Sequence, residues 1–171
     1  MQGHPGGDAH TRYLIELSFL PPGSRWLDMG ARDGQALAIL EEEGFSAVGI
    51  DLSPRSLRVE RGDFLRTPYE TGSFDGALSQ CSFYVSGNVP LALTEAARLL
   101  RKGGKLVFSD VTEDVVVLLN QVRAAGFAVR HLEDLTDQWK QHYLEALWRE
   151  EVPCPPVKGK ISYVLFVCER M

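Results

Sequence analysis

Cysteine is scarce in this chain: there are three in 171 residues, at Cys81, Cys154 and Cys168. So sparse and odd a set excludes a disulfide framework, and the lack of any C-x-x-C pair excludes the usual zinc spacing. No metal site is expected. No apolar run approaches the ~20 residues that a bilayer span needs, and Met1–Gly7 has no signal-peptide core. A reducing cytoplasm is the expected compartment. Positive charge is also in short supply. A net charge of −5 gives no long-range attraction to phosphate backbones, which argues against nucleic acid as a partner. There is no internal repeat and no break that would mark a second domain. The expectation is a polar, glycine-rich, loosely held segment over 1–9, then one domain over 10–171. Oligomeric state is left open.

What is present is ordinary globular composition, 44% hydrophobic and 24% charged, in a chain long enough to bury a core without staples. One stretch organises it: Trp26-Leu27-Asp28-Met29-Gly30-Ala31-Arg32-Asp33-Gly34. A short apolar run ends at an acidic residue, turns through two glycines, and opens into a helical pattern at Gln35. Glycines there let backbone approach a ligand, and the helix-end N–H groups favour an anion. Dinucleotide folds use a similar turn, but Gln35 stands where their third glycine would be. The turn suits a single nucleoside with a charged amino-acid tail better than a pyrophosphate.

Hydrophobic periodicity predicts helices over about 10–20, 35–43, 89–101, 113–125 and 136–150. Strands are predicted over 25–29, 46–51, 59–61, 74–79, 105–109, 128–132 and 161–168. Ser53 as N-cap and Pro54 at the first helical position predict a further short helix. Strands alternating with helices imply a doubly wound α/β fold, with a mostly parallel sheet covered by helices on both faces. The last strand, following a proline loop, is expected to be an antiparallel edge strand.

These segments resemble the seven-stranded, Rossmann-like class I S-adenosylmethionine-dependent methyltransferases over about 6–169. The motifs are Leu27-Asp28-Met29-Gly30 to Gly34, Gly49-Ile50-Asp51-Leu52-Ser53 and Gly62-Asp63-Phe64. The fourth runs from Ser73-Phe74-Asp75-Gly76-Ala77 to Gly103-Gly104-Lys105-Leu106. Ser79-Gln80-Cys81 and Ser109-Asp110-Val111 look most like the branch that methylates arsenite and quinones. The resemblance implies S-adenosyl-L-methionine as cofactor and a small-molecule acceptor. Two other classes stand beside it: a non-catalytic S-adenosylmethionine-binding module and a nicotinamide-dependent oxidoreductase. The family's middle glycine is Arg32 here, a strained choice if the turn needs a positive φ.

Methyl transfer from a sulfonium asks the protein mainly for positioning and desolvation. The expected cofactor-binding residues are Asp28, Gly30, Ala31, Arg32, Gly34, Asp51, Leu52, Asp63, Phe64 and Ser79. Asp51 is placed to accept from the ribose hydroxyls or, alternatively, to cap the following turn. Because the residue sits at a strand tip, Asp51→Ala is expected to change the stability of the cofactor-free protein little. Asp63 and Phe64 are placed for the adenine, or form a surface turn. Asp28 orients the ammonium or stabilises the turn's own amides, and Arg32 meets the cofactor's carboxylate or points into solvent. Cys81 is the candidate for substrate chemistry, a metalloid ligand by resemblance or an unreactive thiol. Cys154 is able to join it only through the proline loop. His4 and His10 are candidate bases, and Tyr13, Phe83 and Tyr84 are candidate walls of an apolar acceptor pocket.

Overall fold

The computed structural model describes residues 5–149 and 160–171. Its elements run α1 (Gly7–Leu17), β1 (Arg25–Met29), α2 (Gln35–Glu42), β2 (Ser46–Asp51), β3 (Val59–Arg61), β4 (Phe74–Gln80) and α3 (Val89–Leu99). They continue with β5 (Leu100–Thr112), α4 (Val115–Ala124), β6 (Phe127–Asp134), α5 (Thr136–Trp148) and β7 (Ser162–Arg170). All strands join one seven-stranded sheet in the order β3-β2-β1-β4-β5-β7-β6. Strand β7 pairs antiparallel with both neighbours, and the other pairings are parallel.

The sheet is covered on both faces. On one, Ala92, Leu93 and Ala96 of α3 and Leu118 and Val122 of α4 pack on Leu27, Met29, Ala77 and Phe108. On the other, Leu14 and Ile15 of α1 and Ala36, Ile39 and Leu40 of α2 pack on Trp26, Leu78 and Val107. Opposite faces at alternate positions are what a two-sided parallel sheet requires, and they explain the near-continuous apolar strands.

Three expectations are corrected. The antiparallel strand is not at the edge: β7 lies between β5 and β6, and β6 is the edge. The physical reason is burial. Val164, Phe166 and Cys168 enter one core and Tyr163, Leu165 and Val167 the other, whereas β6 after Phe127 has only half-buried and exposed positions and tolerates open solvent. Second, no helix forms between β2 and β3. The amide of Ser53 is taken by Asp51 Oδ1 at 2.7 Å and that of Arg55 by the Arg32 carbonyl at 2.7 Å, leaving a stretch too short to nucleate a helix. Third, α1 begins at Gly7, and Pro5 is already buried. His10 holds the start of this helix down, with Nε2 3.0 Å from Ser109 Oγ.

Candidate functional site

At the carboxyl ends of β1, β2 and β4, where doubly wound sheets bind ligands, lies a cavity of about 670 Å³. That is within the range of small-molecule sites, roughly 300–1,000 Å³. Its wall includes eight of the ten expected cofactor residues: Asp28, Gly30, Ala31, Arg32, Asp51, Leu52, Asp63 and Phe64. Gly34 and Ser79 are not part of it. Gly34 sits behind the turn at φ 80, shaping the entry to α2. Ser79 is fully buried, and its Oγ has no hydrogen-bond partner.

Local chemistry explains the turn. The amides of Gly30 and Ala31 both donate to the Ile50 carbonyl, at 2.9 and 3.1 Å. The amide of Arg32 donates to Asp51 Oδ2 at 3.0 Å. Gly30 has φ 96, and a Cβ there would lie 2.1 Å from Ser82 Oγ. Only glycine fits, and its bare backbone faces the cavity. Arg32 has φ 43, so this arginine does occupy the strained left-handed region. The end of α2 is not left open as the sequence suggests, because Asp33 Oδ1 accepts from the Gln35 amide at 3.2 Å.

The carboxylates are not equivalent. Asp28 is buried, and burial first, then Asp51 and Asp33, push its pKa up to about 7. The turn amides go elsewhere, so Asp28 is not the turn's own clamp. Asp51 does cap its turn, through Arg32 and Ser53, yet each carboxylate oxygen keeps a second lone pair for a ligand. Asp63 Oδ1 accepts from the Leu65 amide at 2.8 Å, and Phe64 packs on Phe83 with ring centroids 5.9 Å apart.

The opposite part of the cavity is made by Cys81, Ser82, Val85, Asp110, Trp139 and Tyr143. Cys81 reaches the wall as expected, but burial, then Asp110, push its thiol up to about 12. Its sulfur is 3.7 Å from Tyr163 Oη, which donates to Ser109 Oγ at 2.8 Å. His10 joins this buried group and does not line the cavity. His4 and Cys154 lie outside the described residues. Tyr13 donates to Glu133 at 2.9 Å, away from the site. Sequence reading missed Asp110 and the α5 aromatics as site residues. A signal was there: Trp139, His142 and Tyr143 recur at the three- and four-residue spacing that shares a helix face, and all three line the cavity.

Comparison with known proteins agrees with this geometry. The methyltransferase domain family matches residues 8–154, and the chain belongs to that family, in the class I S-adenosylmethionine-dependent type. It is 31% identical over 116 residues to a demethylmenaquinone methyltransferase of Tropheryma whipplei, covering 60% of this chain and 48% of that one. It is 32% identical over 141 residues to an arsenite methyltransferase of Aquipseudomonas alcaligenes, covering 66% of this chain and 40% of the relative. The chain thus spans about half the length or less of these curated relatives. Geranyl diphosphate methyltransferase in complex with S-adenosylmethionine superposes with a TM-score of 0.74 at 17% identity, covering 96% of this chain and 85% of that one. The cyclase SpnF superposes at 0.79 with 21% identity, covering 95% and 80%. The fold is therefore shared by enzymes of different reactions.

Proposed function

We propose that this chain is a methyltransferase domain, with α1 from Gly7 as part of it, that uses S-adenosyl-L-methionine to methylate a small-molecule acceptor in the cytoplasm. The observation that carries the reading is convergence. The bare Gly30 turn and the carboxylates of Asp28, Asp51 and Asp63 face one cavity, whose far wall sets Trp139 and Tyr143 beside Cys81, Ser82 and Asp110. Those groups fit the cofactor's chemistry. Asp51 accepts from the ribose hydroxyls while still holding the turn. Asp63 accepts from the adenine amine, with Phe64 packed on the base. Asp28 meets the ammonium group, and Ala31 and Leu52 complete the walls. When bound, the sulfonium supplies an activated methyl group. The chain orients the acceptor against it between Cys81, Ser82, Trp139 and Tyr143, and keeps water out.

Cys81 is a wall of that acceptor space, and His10 is a structural anchor. Membrane and nucleic acid have no part in this reading; no helix among the described residues is long and apolar enough to cross a bilayer. The test is equilibrium titration. S-adenosylhomocysteine should bind at micromolar affinity or better, roughly −8 kcal/mol, and NAD should not compete. Binding of NAD with no S-adenosylhomocysteine binding at millimolar concentration would overturn the assignment.

A further inference from the structure

A second cavity, of about 420 Å³, lies beyond the acceptor end of the first. Asp110 and Val111, at the carboxyl end of β5, line both cavities. The second runs between Phe83 and Tyr84 after β4, Phe108 and Val111 of β5, and Val117 and Leu118 of α4. Its walls are mainly aromatic and aliphatic. The charged groups among its described lining residues are all acidic: Asp110, Glu113 and Asp114. Of its lining residues, Val117 in the first turn of α4 is 51% exposed and Tyr84 43% exposed.

Asp110 is the hinge of the arrangement. Its carboxylate accepts from the Tyr84 amide at 2.9 Å and the Val111 amide at 2.8 Å, fixing the segment after β4 against β5. The Phe83 amide also bonds this carboxylate, so three of its roughly four lone-pair sites are engaged and one is left for a ligand donor. Nine-tenths or more of Asp110 is buried, at 3% exposure. Burial raises its carboxyl to about 6, so it is ionised at neutral pH. A partly desolvated carboxylate between an aromatic cavity, with stacked Trp139 and Tyr143, and an apolar one selects charge and shape together.

We propose that the second cavity holds the apolar tail of the acceptor, and that the acceptor is an amphiphilic amine whose nitrogen sits by Asp110. The bound ammonium first gives a proton to the Asp110 carboxylate; the freed nitrogen lone pair then takes the methyl group, while the electron pair of the broken sulfur–methyl bond stays on sulfur and leaves S-adenosylhomocysteine. This rests on the assignment of the first cavity to cofactor and acceptor. An anionic head group would face Asp110 and Glu113; no lysine or arginine is among the described residues lining the second cavity, and Arg32, which lines the first, belongs to the cofactor turn. A short polar amine would leave the Phe83–Phe108–Leu118 walls unused. A linear alkylammonium ion is the simplest molecule that uses both.

Isothermal titration with n-octylammonium, n-butylammonium and octanoate tests the proposal, each with and without S-adenosylhomocysteine. Octylammonium should bind saturably. Affinity should fall about fourfold for each methylene removed from the tail, which corresponds to ~0.8 kcal/mol per buried methylene. Octanoate should bind at least tenfold more weakly. Val117→Trp, at a half-exposed position where a larger side chain is tolerated, should fill the cavity, weakening octylammonium at least tenfold and leaving S-adenosylhomocysteine affinity unchanged. Glu113→Lys should reverse part of the preference for the ammonium over the carboxylate. Chain-length independence, equal or tighter binding of octanoate, or indifference to Val117→Trp would each overturn the proposal. Loss of S-adenosylhomocysteine binding with octylammonium binding intact would instead refute the reading of the first cavity alone.

Discussion

The backbone amide of Arg32 donates to the carboxylate of Asp51 across 3.0 Å, and this bond ties the glycine turn after β1 to the tip of β2. The other oxygen of Asp51 accepts from Ser53 at 2.7 Å. One side chain thus satisfies two amides in two loops while presenting its remaining lone pairs to the cavity.

The first prediction follows from that double duty. Asp51→Ala should weaken S-adenosylhomocysteine binding by about 1.5–3 kcal/mol, the scale of charge-assisted hydrogen bonds. It should also destabilise the cofactor-free protein by about 1–2 kcal/mol, because two amides lose their acceptor. This reverses the expectation from sequence that stability would change little. Titration and urea unfolding of the same variant measure both effects. A folded variant with unchanged stability would show that water replaces the carboxylate without loss.

Arg32 gives the second. With φ 43, its Cβ occupies a region costing about 1–2 kcal/mol in a residue other than glycine. Arg32→Gly should raise unfolding free energy by about 1 kcal/mol, part of the relief being offset by glycine's greater unfolded-state freedom. Arg32→Ala should give no such gain. If the arginine also meets the cofactor's carboxylate, both variants lose affinity for S-adenosylmethionine and neither loses affinity for adenosine.

Asp28 sets the third, through proton linkage. Its carboxyl in the folded protein is raised to about 7, above the ~3.9 of a free aspartate. Between those values the native state holds more protons than the unfolded one. Its stabilising contribution is fully present below about pH 4 and is lost as pH rises through 7. Asp110, raised to about 6, acts in the same direction. Glu169 acts in the opposite one, since Arg130 and Lys105 hold it down to about 2. An ammonium ligand needs the ionised form of Asp28. Affinity for S-adenosylhomocysteine should therefore fall by up to about tenfold per pH unit below 7 and level off above it. Asp28→Asn should abolish that slope. A slope unchanged in the variant would move the titrating group elsewhere.

Cys81 provides the fourth. Its thiol is raised to about 12, so almost none is thiolate at neutral pH. Cys168 is fully buried in the core. Tight capture of trivalent arsenic needs at least two convergent thiolates. Iodoacetamide should alkylate Cys81 far more slowly than free cysteine at pH 7.5, and arsenite should not drive release of S-adenosylhomocysteine. Arsenite-dependent turnover that vanishes in Cys81→Ser would assign the metalloid role to this residue after all.

Much of this architecture is readable in the chain, for physical reasons that differ by element. Strand β1 and the Gly30–Gly34 turn stand out because apolar burial and positive φ leave few residue types available. Asp28, Asp51 and Asp63 stand out because each lies within two residues of the end of a strand. The position of β7 was harder. Its two-sided apolar pattern, Tyr163 to Cys168, does argue against an edge, but pairing partners across distant sequence carry no local signal. The far wall of the cavity was harder still. Trp139 and Tyr143 look like ordinary core residues of an amphipathic helix until α5 is set beside β7. Asp110 looked like the end of a strand, and only the cavities on both sides of it reveal what it faces.

The place of β7 also bears on how the molecule assembles. Strand β5 pairs with β7 from Lys105–Glu169 to Thr112–Ser162, and β6 touches the sheet only through β7. During synthesis β5 is made well before its neighbour, so an apolar strand edge waits uncovered while β6 has nothing to join. Pairing of such high sequence separation is slow and exposes sticky edges meanwhile. The half of the sheet that carries Asp110 and the far wall of the cavity is thus expected to be completed last, with β7 as the bolt that closes it.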